Sequence, residues 1–205
     1  MDFMEVVRAR RSARKFKPDP VPDEVLQDIL EAGRLAPSPG NCQTWFFGVV
    51  TDQDMRCRLA EAAGQQHWIA SAPIIIALCA QLGWKLRCVP DDDFGLEVSK
   101  TRYGGEFIAY LQRYDDQKAV TILFEEWTPS CAGEHMFLAA VNYGLRACWI
   151  GYLDVGKASQ ILHLPDDVAC LYLMPIGYAA EAPEAIERKS LEEIVFYNRW
   201  AVARA

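Results

Sequence analysis

A dense basic segment near the start of the chain has the side chains to bind an anion. Residues 8–17 (RARRSARKFK) contain six cations and no acid, although the whole chain carries a net charge of −7. One or two arginines at the end of a predicted first helix would simply complement the helix dipole. Guanidinium groups also bind phosphate oxygens in pairs, and a serine hydroxyl can bond a carbonyl or a phosphate. The density of charge around Arg10, Arg11, Ser12 and Arg14 favours an anionic ligand.

A second basic cluster lies near the other end of the chain. Arg188 and Lys189 come just before a predicted helix that follows Ser190. Cations at a helix start oppose the helix dipole, and a bound anion there would remove the conflict. If the two basic clusters converge in the fold, they can hold one phosphate.

Two further stretches combine small residues with apolar strands. Residues 36–45 (APSPGNCQTW) place Ser38, Asn41 and Gln43 beside Trp45, a mixture that suits a flat heteroaromatic ligand with polar edges, although ordinary turns have a similar composition. Residues 144–151 (GLRACWIG) follow an apolar helix. The first glycine of that stretch fits a helix end, and the last would let a ligand approach the backbone closely.

Composition excludes several classes of protein. The 205 residues fit one domain, and the acidic balance argues against a nucleic-acid binder. No apolar run approaches the ~20 residues of a membrane span, and no secretory signal is recognisable. Seven scattered cysteines without a C-x-x-C pair indicate reduced thiols in a cytoplasm, and three isolated histidines predict no metal site. No dinucleotide, phosphate-loop or nucleophile motif is present, and no carboxylate pair stands out as catalytic.

Hydrophobic periodicity predicts strands that alternate with helices, which indicates an α+β or α/β fold in three layers. The predicted helices begin at residue 3 and near residue 22, and continue at 52–63, 105–114, 131–143 and 155–162 and after 190. The predicted strands are 45–51, 74–79, 147–150 and 169–176. The pattern fades between 83 and 127, which we interpret as a surface insertion, a cap or lid, in a single domain of residues 1–205.

Four ordered motifs resemble the nitroreductase family of FMN-dependent NAD(P)H oxidoreductases. They are RRSAR (10–14), APSPGNCQTW (36–45), GLRACWIG (144–151) and RKSLEEIVFYNRW (188–200). The resemblance covers residues 2–82 and 129–200. It implies an α+β fold built on a mainly antiparallel sheet flanked by helices. It also implies an intertwined homodimer with two FMN sites at the subunit interface.

The resemblance assigns roles to thirteen residues around the flavin. Its phosphate, ribityl chain and pyrimidine edge would be held by Arg10, Arg11, Ser12 and Arg14, with Arg188 and Lys189 closing on the phosphate. Its ring would be approached from the partner subunit by Pro37, Ser38 and Pro39, and at its polar edge by Asn41 and Gln43. Flavin N5 would lie near the backbone of Ile150 and Gly151. No catalytic side chain is implied, because the flavin carries the chemistry.

The implied reaction is a ping-pong relay. NADH or NADPH reduces FMN and leaves, and a flat electron-poor acceptor (nitroaromatic, quinone or activated enone) then takes the electrons. The alternatives are reductive dehalogenation, oxidative cleavage of reduced flavin, a non-catalytic flavin-binding protein and a basic interaction module.

Three features depart from the family: Thr44 replaces a common proline, Thr128-Pro129 replaces an acidic residue, and 83–127 is unusually long. Candidates there for stacking on a substrate ring are Phe94, Tyr103, Phe107, Tyr110 and Phe124.

Overall fold

A four-stranded antiparallel sheet forms the centre of the molecule in a computed structural model that describes residues 2–181 and 183–200. Its strands, in the spatial order β1-β2-β4-β3, are β1 (Trp45–Val50), β2 (Ile74–Gln81), β3 (Arg146–Ala147) and β4 (Val168–Gly177). The helices are α1 (Phe3–Ala9), α2 (Asp23–Arg34), α3 (Gln53–Ala62), α4 (Phe94–Tyr103), α5 (Gly105–Arg113), α6 (Gln117–Glu125), α7 (Trp127–Asn142), α8 (Val155–Ile161) and α9 (Leu191–Ile194). In these described residues, no helix is both long and apolar enough to cross a membrane.

Both faces of the sheet are covered, which explains why β2 is apolar along nearly its whole length. On one face Ile74, Ile76 and Leu78 pack against α1, α2 and α7. Alternate side chains point the other way, because successive residues of a strand face opposite sides. On that second face Ile75 and Ala77 pack against α3 and α8. The three-layer α+β fold with a mainly antiparallel sheet is therefore confirmed.

The strand predicted at 147–150 is wrong in its bounds, since β3 contains only Arg146 and Ala147. The chain continues beside β4 without forming a regular ladder, and only Ile150 bridges Leu173 again. On its other side, β3 is joined in parallel by Ser12. The N-terminal basic segment thus lies against the edge of the sheet, next to the stretch that follows β3.

The region 83–127 is more regular than the sequence predicts. The helix predicted at 105–114 is confirmed as α5, but helices α4 and α6 on either side of it were missed. Asp93 and Asp116 cap these two helices by accepting backbone N–H groups, a signal that the sequence does contain. The three helices enclose a small cluster of their own, made of Leu86, Leu96, Ile108, Leu111 and Val120. We call residues 83–127 the cap.

The last two helices also differ from their predicted bounds. Helix α7 begins at Trp127, four residues before the predicted start, because Pro129 fits the first turn of a helix and does not interrupt it. Helix α9 spans only Leu191–Ile194 and has no buried residue. It therefore buries no side chain against the other described residues.

Candidate active site

The basic segment is held between a helix end and the sheet edge. Helix α1 begins with a capping box between Asp2 and Glu5 and ends at Arg10, whose backbone is already extended. The N–H of Ala13 then donates to the carbonyl oxygen of Ala147 at 3.0 Å. This anchoring gives the side chains that follow α1 fixed directions, alternating as in a strand.

Arg10, Ser12 and Arg14 stand at alternate positions of the segment, and all three influence the pKa of the Cys148 thiol. Burial raises the pKa of Cys148, while the charge of Arg14, a hydrogen bond with the Ser12 side chain and the charge of Arg10 oppose that shift. Arg10 is half-buried, and its guanidinium carbon lies 5.4 Å from the centre of the Phe137 ring. Because side chains alternate along an extended segment, Arg10, Ser12 and Arg14 are expected to face the same way.

Cys148 was not singled out in the sequence. Its thiol is buried, and a hydroxyl and two cations oppose the effect of burial on its pKa. The signal that could have found it was its position in the GLRACWIG motif.

Arg11 takes a different direction. Its Nη1 atom donates to the carbonyl oxygens of Arg8 at 2.8 Å and Arg10 at 2.7 Å. These bonds satisfy carbonyl groups at the end of α1, as expected for a cation at a helix C-terminus. Arg11 also lines a cleft whose lining includes neither Arg10 nor Arg14. The role in flavin binding that the resemblance gives to Arg11 stays a prediction.

The turn that contains Pro37, Ser38, Pro39, Asn41 and Gln43 is held by its own side chains. The Ser38 hydroxyl accepts the N–H of Gln43 at 3.0 Å, and the Gln43 amide donates to the carbonyl of Asn41 at 3.3 Å. Asn41 and Gln43 both have positive φ, 57° and 48°, which is uncommon for residues other than glycine. Positive φ at two non-glycine residues of an exposed turn makes this turn a candidate functional site.

The backbone at Ile150 and Gly151 lies at the end of the stretch that follows β3. The N–H of Ile150 donates to the carbonyl of Leu173 at 2.9 Å, and the N–H of Leu173 returns a bond to Ile150 at 3.2 Å. The N–H of Ile150 is therefore engaged within the sheet. Gly151 is exposed immediately beyond it. If either Ile150 or Gly151 contacts the flavin through its backbone N–H, we expect it to be Gly151.

Arg188 and Lys189 lie in an exposed segment that leads into α9. Within residues 2–181 and 183–200, no ion pair or hydrogen bond joins them to the N-terminal basic segment. In the same described ranges, no ion pair or hydrogen bond joins the N-terminal basic segment to the turn at 37–43. The convergence of these three parts on one flavin therefore stays a prediction, and the resemblance implies that a second copy of the chain takes part in it.

The cap forms a cavity of about 430 Å³ against this turn. Pro39 and Cys42 of the turn line it, together with aromatic side chains of the cap and of α7, which are Trp84, Tyr103, Phe124 and Trp127. Of the five predicted stacking residues, only Tyr103 and Phe124 line the cavity, with their ring centres 5.8 Å apart. Trp84 and Trp127 were missed because they stand at the two ends of the cap.

A buried carboxylate joins the cap to the turn. Glu125 is 8% exposed and accepts the hydroxyl of Thr44 at 2.6 Å and the indole N–H of Trp84 at 2.7 Å. Thr44 stands where the family often has proline, and a proline could not supply this donor. The departure at Thr44 and the long cap are therefore linked through one side chain, which we call the Glu125 clamp.

A family model described as the nitroreductase family matches residues 7–178. The chain belongs to this family. A relative from Thermus thermophilus, named NADH dehydrogenase, is 30% identical over 205 residues. The match covers 97% of this chain and 97% of that protein. The iodotyrosine dehalogenase 1 homolog of Caenorhabditis elegans is 28% identical, over 94% of this chain and 60% of that protein. The solved structure of a Vibrio harveyi NADPH:FMN oxidoreductase complexed with NAD⁺ is 25% identical, with a TM-score of 0.72, and the match covers 100% of this chain and 80% of that one.

Proposed function

We propose that the protein is an FMN-dependent oxidoreductase that takes electrons from NADH or NADPH and passes them to a flat, electron-poor acceptor. The observation that carries the proposal is the anchoring of the basic segment against the sheet edge through Ser12 and Ala147, with Arg10, Ser12 and Arg14 at alternate positions of that extended segment. The family and its relatives named for NADH, NADPH and FMN support the same reading. The scattered free thiols favour a cytoplasmic location.

The described residues include the types of side chain that FMN binding requires. A phosphate dianion requires cations and hydroxyl donors, which Arg10, Ser12 and Arg14 provide. A cation at the pyrimidine edge would also stabilise the negative charge of the reduced ring. FMN, when bound, supplies the two-electron chemistry, and the protein supplies position and electrostatic field. Gly151, beyond the paired Ile150, leaves an exposed backbone position where a ring can approach.

The cap cavity is our candidate for the acceptor site. Its volume of about 430 Å³ suits a ligand of one or two rings. Its aromatic lining favours flat molecules, because rings gain from stacking and edge contacts beyond the area they bury. The Glu125 clamp holds this cavity against the turn that the resemblance places near the flavin ring.

We further propose that the protein works as a homodimer. The C-terminal segment exposes Leu191, Phe196, Tyr197 and Trp200, with exposed fractions of 73%, 52%, 83% and 67%. An apolar stretch of this kind is typical of a surface that binds another chain. A second copy would bury the segment and would bring Arg188 and the turn at 37–43 of one chain toward the basic segment of the other.

The proposed function is tested by an anaerobic titration of the purified protein. We expect a bound yellow chromophore, identified as FMN after release, that is bleached by stoichiometric NADH or NADPH. Addition of a quinone or nitroaromatic should restore the oxidised spectrum. Protein that stays colourless after incubation with FMN would refute the proposal. Flavin that binds but is not reduced by either nucleotide would instead support a non-catalytic flavin-binding protein.

Reductive dehalogenation is the second candidate, favoured by the similarity to the iodotyrosine dehalogenase 1 homolog. It would use the same flavin and the same cap cavity with a halogenated phenol. Anaerobic release of halide from such a phenol by the reduced protein would favour this candidate. Reoxidation of the flavin by quinones with no halide release would favour the first.

A further inference from the structure

The cap cavity contains a buried negative charge that has no positive partner. Glu125 lines the cavity and is 8% exposed. Within residues 2–181 and 183–200, none of the ion pairs includes Glu125. Its oxygens accept one hydrogen bond from Thr44 and one from Trp84, which leaves unused roughly half of the acceptor positions of a carboxylate. Because buried charges are rarely left unpaired, a cation in the cavity would supply what the described part of the chain does not.

Two other charged residues line the cavity, and their charges are opposite. Asp93 and Arg102 are both exposed. Asp93 caps α4 by accepting the N–H of Leu96 at 2.9 Å, and the guanidinium carbon of Arg102 lies 5.2 Å from the centre of the Tyr103 ring. Solvent and salt screen exposed charges much more strongly than buried ones. The charge of Glu125 therefore dominates the electrostatic field in the cavity.

Aromatic rings form much of the rest of the cavity wall. They belong to Trp84, Tyr103, Phe124 and Trp127. The ring of Phe124 stands edge-on to Trp84, with ring centres 5.7 Å apart, and edge-on to Tyr103, with ring centres 5.8 Å apart. The faces of aromatic rings are negative and attract cations, most strongly where water is excluded. A buried carboxylate among several aromatic rings is a combination that binds organic cations.

We propose that the cap cavity takes flat aromatic cations, and that Glu125 selects them over neutral and anionic rings of the same shape. This proposal rests on the proposed function, in which the cavity receives the electron acceptor. A phenothiazinium dye is flat, electron-poor and positively charged, so it satisfies both requirements. When it accepts two electrons and one proton from the reduced flavin, the flavin returns to its oxidised form and the dye becomes its neutral leuco form. The product loses the charge that Glu125 attracts, which favours its release.

Calorimetric titration of the FMN-saturated protein with three probes of similar shape tests the proposal. N-methylquinolinium is a cation, methylnaphthalene is its neutral counterpart, and naphthoate is an anion. We expect the cation to bind at least about tenfold more tightly than the neutral probe, a ratio that corresponds to about 1.4 kcal/mol. Naphthoate should bind more weakly than either. Equal affinities for the cation and the neutral probe, or tightest binding of naphthoate, would overturn the proposal.

Substitutions at charged positions show whether Glu125 causes the preference. Glu125→Gln keeps the shape of the side chain and removes its charge, so the preference for the cation should fall below about threefold. Glu126→Gln is the matched control, because Glu126 is exposed and does not line the cavity, and it should leave the preference unchanged. Arg102→Gln removes an exposed cation from the lining and should tighten binding of the cation about twofold. It serves as the second variant if Glu125→Gln does not fold. Equal preferences in Glu125→Gln and Glu126→Gln, or weaker cation binding in Arg102→Gln, would contradict the role of the cavity's charge.

Steady-state kinetics separates this proposal from the proposed function. In Glu125→Gln, the KM for methylene blue, a phenothiazinium cation, should rise about threefold or more, while the KM for a neutral quinone changes less than about twofold. Equal changes in the two KM values would overturn the preference for cations and leave the proposed function intact. Protein that binds no FMN would refute the proposed function, and titration of the three probes into the purified chain would still decide whether the cavity selects cations.

Discussion

Replacing Glu125 should loosen the cap where it meets Thr44, the residue that follows the turn at 37–43. The carboxylate takes no part in an ion pair among the described residues, and its two oxygens serve the hydroxyl of Thr44 and the indole of Trp84. Glu125→Ala removes both bonds and leaves two donors without their acceptor. The carboxylate is buried, so water does not readily replace it.

The expected cost follows from the two lost bonds. A hydrogen bond to a charged group contributes about 1.5–3 kcal/mol, so two would contribute about 3–6 kcal/mol. Removing the carboxylate also removes the cost of burying it, which offsets part of that loss. We therefore expect Glu125→Ala to lower the free energy of unfolding by about 2–4 kcal/mol, and Glu125→Gln, which keeps one acceptor, by about 1–2 kcal/mol.

Urea unfolding followed by circular dichroism measures these changes, with Glu126→Ala as the matched control. Glu126 is the next residue along the chain, and it is exposed. Hydrogen exchange should show faster exchange in α6 and at Trp84 in Glu125→Ala, with the central sheet unchanged. If Glu125→Ala and Glu126→Ala agree within about 0.5 kcal/mol, the Glu125 clamp does not stabilise the cap and the reasoning is wrong.

Three further changes test other parts of the structure. Burial raises the pKa of Cys148, so the folded protein keeps this proton to higher pH than the unfolded chain. The free energy of unfolding should therefore fall as pH rises above the ordinary thiol pKa of about 8.5. In Cys148→Ala this fall with pH should be less steep, and a fall as steep as in the parent protein would contradict the prediction. Gly133→Ala would press a methyl group against the ring of Trp149 and should cost about 1–3 kcal/mol, seen as a lower Tm; an unaltered Tm would show that the ring can move aside. Arg14→Gln should weaken FMN binding about tenfold in a fluorescence titration. Lys15→Gln should have little effect, because Lys15 pairs with a glutamate at the exposed surface, and equal losses would argue against a specific role for Arg14.

The regular core was predictable because its signals are local and repeated. Helix α3 was expected at 52–63 and spans Gln53–Ala62, since Asp52 provides its cap. Gly144 has a φ of 78° after α7, as expected for a residue that ends a helix. Strand β2 was expected because an uninterrupted apolar run suits a strand that is buried on both faces.

The cap and the clamp could not be predicted from hydrophobic periodicity, although the helix caps at Asp93 and Asp116 are present in the sequence. Helices α4 and α6 are short and pack on a cluster of five residues, so their apolar positions repeat too few times to give a clear period. Glu125 and Thr44 are 81 positions apart, and nothing in either neighbourhood shows that they meet. Cys148 was missed for the same reason, since the polar groups that influence it come from the segment after α1 and not from its own stretch of chain.

The most direct test of the central claim compares FMN with riboflavin, which lacks the phosphate. The claim is that the anchored basic segment binds a flavin through its phosphate. Fluorescence titrations of the purified protein should show FMN binding at least about a hundredfold more tightly than riboflavin, about 2.7 kcal/mol. Equal affinities for the two flavins would contradict the claim, whatever reaction the protein is found to catalyse.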